Sequence, residues 1–177
     1  LDTGVSDACR YFDVFVEYAK AGPEDILLRI TVHNRGPEAA KLTLLPQILF
    51  RNTWSWKTNG NVHKLSADRG GIKIEHVQLG DMRLDYDGGP ALLFCENETN
   101  AHRVFGQPQA SGFFKDAFHE YVVAGNKAAV NPAQTGTKAA VLYELNVPAG
   151  GSQQVRLRLS QNPGNPFTDF DAIFTQR

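Results

Sequence analysis

Two cysteines, Cys9 and Cys95, stand among 177 residues. That is too few for a disulfide framework, and their separation is not a zinc-site spacing. They read as two free thiols in a reducing compartment; a Cys9–Cys95 bridge stays open, but nothing in the sequence requires it. An excess of one charge is missing too. Eighteen basic against 19 acidic residues leave a net charge of −1, which excludes a basic nucleic-acid footprint and an acidic tail. No apolar run approaches the roughly 18 residues of a membrane span, so no membrane partner is expected. The one methionine is Met82 and the chain begins Leu1-Asp2-Thr3. The expectation is a processed N-terminus or a piece of a larger protein, and no signal-peptide pattern is visible. Glycine-rich nucleotide loops, an H-E-x-x-H pair and a G-x-S-x-G elbow are all absent. The histidines, His33, His63, His76, His102 and His119, are scattered rather than clustered. No metal and no cofactor is expected.

What is present is ordinary for a globular chain: 42% apolar and 21% charged residues. A chain of this length buries roughly 70% of its unfolded surface and needs no covalent staples. Alternation dominates the pattern. Tyr11–Tyr18 and Ile26–His33 read as strands around the turn Gly22-Pro23-Glu24-Asp25. Leu42–Phe50 reads as a third, with Pro46 marking a bulge or an edge. Short turns between these three suggest a meander. Lys57–Gly71 is polar and glycine-bearing, and reads as a long surface loop. Strands resume at Ile72–Leu79, Met82–Tyr86 and Ala91–Cys95. Phe114, Ala117, Phe118 and Tyr121 recur at helical spacing. Lys138–Val147 and Gln153–Leu159 suggest a hairpin over Pro148–Gly151, and Phe167–Arg177 reads as the start of a helix. The sum is a mainly β chain, an antiparallel two-layer sandwich with one or two short helices.

Three stretches mix aromatic with polar residues. Arg51-Asn52-Thr53-Trp54-Ser55-Trp56 holds both tryptophans. An extended backbone would put Trp54 and Trp56 on one face about 7 Å apart, a platform for the apolar face of a sugar. Glu96-Asn97-Glu98 would, on a strand, project Glu96 and Glu98 to one side at a similar spacing. That falls in the range of an inverting carboxylate pair, but neighbours on one strand point in parallel rather than across a bond, so anchoring of a loop is the plainer role. Lys115, Asp116, His119 and Glu120 lie among Phe113, Phe114, Phe118 and Tyr121, as residues lining a cleft or an amphipathic turn would.

These residues carry a resemblance. Arg10–Lys20 with Pro23–Leu27, then Leu45-Pro46, Phe50–Trp56, Glu96–Asn100, Lys115-Asp116, Tyr121–Val123, Asn131-Pro132 and Gly136–Ala140 resemble bacterial proteins related to glycoside hydrolase family 63. Those are the glucosidase and mannosyl-oligosaccharide glucosidase relatives. The resemblance implies an N-terminal supersandwich, similar in architecture to galactose mutarotases, joined to an (α/α) barrel that carries the catalytic acid and base. On that reading, residues 1–166 are the β-sandwich domain and 167–177 begin a linker helix toward the barrel. No catalytic residue falls on this chain. Trp54, Trp56, Arg51, Glu96, Glu98, Lys115, Asp116 and Tyr121 are the candidates for substrate binding or for the domain interface. The implied partners are the barrel domain of the same protein and an oligosaccharide or α-glucoside substrate, in a bacterial cytoplasm. Two alternatives remain: a free-standing carbohydrate-binding module, and a mutarotase-like epimerase using His76 or His119 with Glu96.

Overall fold

β-Branched and aromatic residues at alternate positions give the chain its strands. In the computed structural model, which describes residues 4, 9–56, 62–161 and 164–177, they form eleven strands. These are β1 (Phe12–Gly22), β2 (Asp25–Asn34), β3 (Ala40–Leu44), β4 (Gln47–Leu49), β5 (Lys64–Asp68), β6 (Gly71–His76), β7 (Gly80–Tyr86), β8 (Ala91–Cys95), β9 (Thr135–Gly136), β10 (Lys138–Val147) and β11 (Ser152–Ser160). Three short helices join them: α1 (Ala101–Phe105), α2 (Ala117–Val122) and α3 (Phe170–Gln176). The chain is mainly β and its ladders are antiparallel, as the alternation predicts. Helix α1 is one of the elements that the sequence pattern did not suggest, with β5 and β9.

The described residues fall into two compact units. The first takes those up to Leu44, Arg83–Pro90 and Tyr143–Arg177. Here β1 and β2 make the expected hairpin, with Gly22 opposite Asp25. The other neighbour of β2 is β11, with Ser152 opposite His33 and Ser160 opposite Asp25. β11 in turn pairs with Arg83–Tyr86 of β7. β3 instead pairs with Tyr143–Val147 of β10. Two expectations are corrected by this pairing. β1, β2 and β3 are not a meander, and β10 and β11 are not a hairpin, because the chain changes sheet at each of those turns. Alternation tells which face of a strand is buried but not which strand lies beside it.

One face of β2, β11 and β7 supplies Ile30, Val32, Val155, Leu157 and Leu84, all buried. On the opposite face α3 lies against the hairpin, with Phe170 fully buried over Ala19 and Leu27. Arg158 stitches this side together. Its guanidinium donates to both oxygens of Asp25 at 2.6 and 2.8 Å and to Asp169 at 2.6 Å. A nearly buried charge is tolerable when it is paired and hydrogen-bonded in this way.

The second unit takes Leu45–Met82 and Ala91–Leu142. β10 is its central strand, flanked by β4 and β8, while β5 pairs with β6 and β9. The predicted third strand is split: Leu45-Pro46 separates β3 from β4, and Pro46 O accepts from Val141 N at 2.9 Å. The expected loop of 57–71 is corrected as well. Residues 57–61 lie outside the described residues, but Lys64–Asp68 is strand β5 and its Leu65 is fully buried. Leu93, Cys95, Ala117, Phe118, Ala140 and Leu142 form one core cluster beneath α2.

Candidate functional site

Strand pairing decides where the candidate residues meet. β10 runs antiparallel to both β4 and β8, and its first residue, Lys138, stands opposite Leu49 on one side and Cys95 on the other. The chain therefore leaves β4 and β8 at the same end of this sheet. One exit carries Phe50–Trp56 and the other Glu96–Asn100, so Arg51, Trp54, Glu96 and Glu98 share one end of the second unit. Gly136 lies there too, so close to the Cys95 carbonyl that a Cβ on it would overlap the backbone.

Asn97 ties the two exits together. Its Nδ2 donates to Phe50 O at 2.8 Å, and its carbonyl accepts from Asn52 Nδ2 at 2.8 Å. Its backbone N–H donates to Thr137 Oγ1 at 2.7 Å, and that hydroxyl donates to Glu96 Oε2 at 2.7 Å. Trp54 Nε1 donates to Glu98 Oε1 at 3.0 Å. Two geometric premises are thereby corrected. Trp54–Trp56 is a 3₁₀ turn rather than an extended stretch, so the same-face argument for a two-ring platform does not apply. β8 ends at Cys95, so Glu96 and Glu98 are on a loop, and one carboxylate meets Thr137 while the other meets Trp54. Arg51 is exposed at the start of this turn.

Lys115 and Asp116 join the same end. Lys115 N donates to Glu98 O at 3.0 Å, and Glu96 N donates to Phe113 O at 2.7 Å. Lys138 Nζ donates to Lys115 O at 3.0 Å and lies 4.7 Å from the Phe118 ring centre. Burial pulls the Lys138 ammonium below its ordinary range. Burial also pushes the neighbouring Cys95 thiol up to about 12, so it stays protonated and unreactive. Both cysteines are free, Cys9 exposed and Cys95 buried. Asp116 accepts from Arg103 Nη1 at 3.0 Å and Asn100 Nδ2 at 3.3 Å, and Arg103 also pairs with Glu120. These side chains, with Phe114, line an open cleft of 560 Å³. Tyr121 is outside that lining. It packs on the core cluster with Lys127 Nζ 3.7 Å over its ring.

Sequence reasoning missed the aromatic group behind Trp54. His63 and His76 stack with ring centres 4.0 Å apart and planes 9° from parallel. Phe50 lies 4.8 and 4.6 Å from the two rings, and Trp54 meets His63 edge-on at 5.7 Å. The register explains it: Lys64 of β5 faces Glu75 of β6, which brings the residues just beyond them together. His76 Nδ1 accepts from Gln78 N and Leu79 N at 3.2 and 3.1 Å. His63 Nδ1 is buried without a hydrogen-bond partner, and burial together with His76 lowers the His63 pKa below its ordinary value.

The chemistry on offer is carboxylate, amide, guanidinium and aromatic, and most of its polar groups are engaged in holding the loops together. Among the described residues no three His, Cys, Asp or Glu side chains converge as metal ligands. No described helix is long and apolar enough to cross a membrane.

No protein-family model matches the chain. It is similar to the uncharacterized protein YMR196W of Saccharomyces cerevisiae, at 32% identity over an alignment 209 positions long that takes in 94% of this chain. The match covers 19% of that relative, so the chain spans about a fifth of its length.

Proposed function

We propose that this chain is the non-catalytic β-sandwich part of a longer, α-glucosidase-like glycoside hydrolase, and that the end of the second unit described above faces the sugar or the catalytic barrel. The observation that carries the reading is the convergence at one sheet end of Phe50–Trp56, Glu96–Asn100 and Lys115-Asp116, three of the stretches on which the glycoside hydrolase resemblance rests. The length of the yeast relative supports it, since four-fifths of a protein of that size is left to hold a catalytic acid and base. In this chain Glu96 and Glu98 hold loops, which suits a supporting role. The reading includes a reducing compartment such as a bacterial cytoplasm, which two free cysteines suit.

The test is kinetic and uses the full-length protein encoded around this segment. Trp54→Ala removes the hydrogen bond to Glu98 and the packing on His63. A loss of about 1 kcal/mol of uniform binding raises KM for an α-glucoside roughly fivefold with kcat kept. Loss through domain association instead shows as a lower Tm of the full-length protein. Unchanged KM and unchanged Tm, or a full-length protein without α-glucoside hydrolysis, overturn the reading. A free-standing binding module is told apart by titrating the 177-residue chain with gluco-oligosaccharides and following tryptophan fluorescence.

A further inference from the structure

The apolar face of the first unit runs past its cover. Across the sheet the register aligns Val14, Val16 and Tyr18 of β1 with Val32, Ile30 and Leu28 of β2, and Ile30 and Leu28 with Val155 and Leu157 of β11. In the inner strands this face is sealed: Val32, Ile30, Val155 and Leu157 are 1 to 5% exposed. One strand further out the same row is open, with Val14 at 46%, Val16 at 48% and Tyr18 at 70%. β1 is also the terminal strand of its sheet, eleven residues long, and no described strand pairs with its outer edge. Its opposite face is more mixed: Phe15, 52% exposed, meets the His33 ring edge-on at 5.4 Å between Asp13 paired to Arg35 and Glu17 paired to Arg29, and α3 lies over Ala19.

A long, straight, apolar edge is what soluble proteins avoid by bulges, charges or cover. Over Val14–Tyr18 β1 has no bulge, its single irregularity being at Lys20/Gly22, and its one charged residue there, Glu17, points to the other face; Lys20 stands on the apolar face just beyond Tyr18. We propose that β1 seats an extended, apolar-alternating segment of the longer polypeptide to which residues 1–177 belong. This segment adds a strand to the sheet edge and covers Val14, Val16 and Tyr18. The occupant is a segment of the same polypeptide because the relative carries four-fifths of its length outside the matched region. The recognition chemistry is main-chain pairing plus small and aromatic apolar side chains at every second position. The proposal rests on the reading of this chain as one part of a longer protein.

Hydrogen exchange, read by mass spectrometry on peptides covering Phe12–Lys20, tests it in the full-length protein and in the 177-residue chain at low concentration. The expected result is exchange at least about tenfold slower in the full-length protein. Val16→Lys there should restore fast exchange in β1 and leave peptides of β11 unchanged. Circular dichroism of the variant, unchanged from the parent, separates this from global unfolding. Equal exchange in the two proteins overturns the proposal, and so does a reading frame that closes at the ends of this chain. Protection that appears in the 177-residue chain as its concentration rises overturns it in favour of a second copy as occupant. A protected β1 in a protein without α-glucoside hydrolysis removes the functional reading alone. An unprotected β1 in an active hydrolase removes this proposal alone.

Discussion

Thr137 shows how much one hydroxyl can hold. It is buried, accepts from Asn97 N and donates to Glu96, so it fixes the direction in which the loop after β8 leaves the sheet. Thr137→Val keeps the shape and removes both bonds. A half-buried N–H and a half-buried carboxylate are left unsatisfied, at a cost of about 1–3 kcal/mol, read as a lower urea midpoint with an unchanged slope; Thr137→Ser should recover most of it. This bond was not legible in the sequence. Glu96 and Glu98 are two residues apart, but their partners lie 41 and 44 residues away in the chain. Residue types drew attention to these stretches, whereas the pairing depends on how β4, β8 and β10 align, which no local pattern encodes.

At the scale of elements, β5 and β6 carry a pH dependence through the two rings stacked at their shared end. The His63 ring takes up a proton near 6.5 when unfolded and only at lower pH when folded, because burial and His76 oppose its charge. Between those values the unfolded chain binds more protons, so stability falls as pH drops below about 6.5. Thermal unfolding followed between roughly pH 7 and 5 should show Tm falling with pH, and His63→Phe should flatten that slope. A slope unchanged in the variant removes His63 as its source. The elements themselves were the most legible part of the sequence. β1, β2, β8 and α2 lie where alternation and helical spacing put them. β5 was hidden because Gly70 and Gly71 and a polar run surround one deeply buried leucine, Leu65. Helix α1 was hidden because five residues are too few for a periodicity to show. Its signal is the Asn100 cap, whose side chain accepts from Arg103 N at 3.2 Å, and Gly106 in the left-handed conformation at its end.

For the whole molecule, the pairings that close the first unit are distant in sequence. β11 must find β2, and the Arg158–Asp25 contact joins residues 133 apart. Loops of that length are closed before any contact rewards them, so refolding from denaturant should take milliseconds to seconds. Stopped-flow tryptophan fluorescence checks this, and a dominant microsecond phase would contradict it. The mainly β, antiparallel character was legible, because it is a property of each strand taken alone. The division into two units built from interleaved stretches was not, because it is a property of which strands meet.

Gly136 has a consequence for the sequences this fold can wander through. Its Cβ position is already taken by the carbonyl of Cys95, and every amino-acid replacement of a glycine adds that atom. Most surface positions have neutral neighbours one base change away, so drift can pass through them. Position 136 has none: each missense change of its codon pushes a new Cβ against the Cys95 backbone at the end of the sheet where the candidate residues meet. Loop and strand meet there at a distance that only a hydrogen in place of a side chain permits.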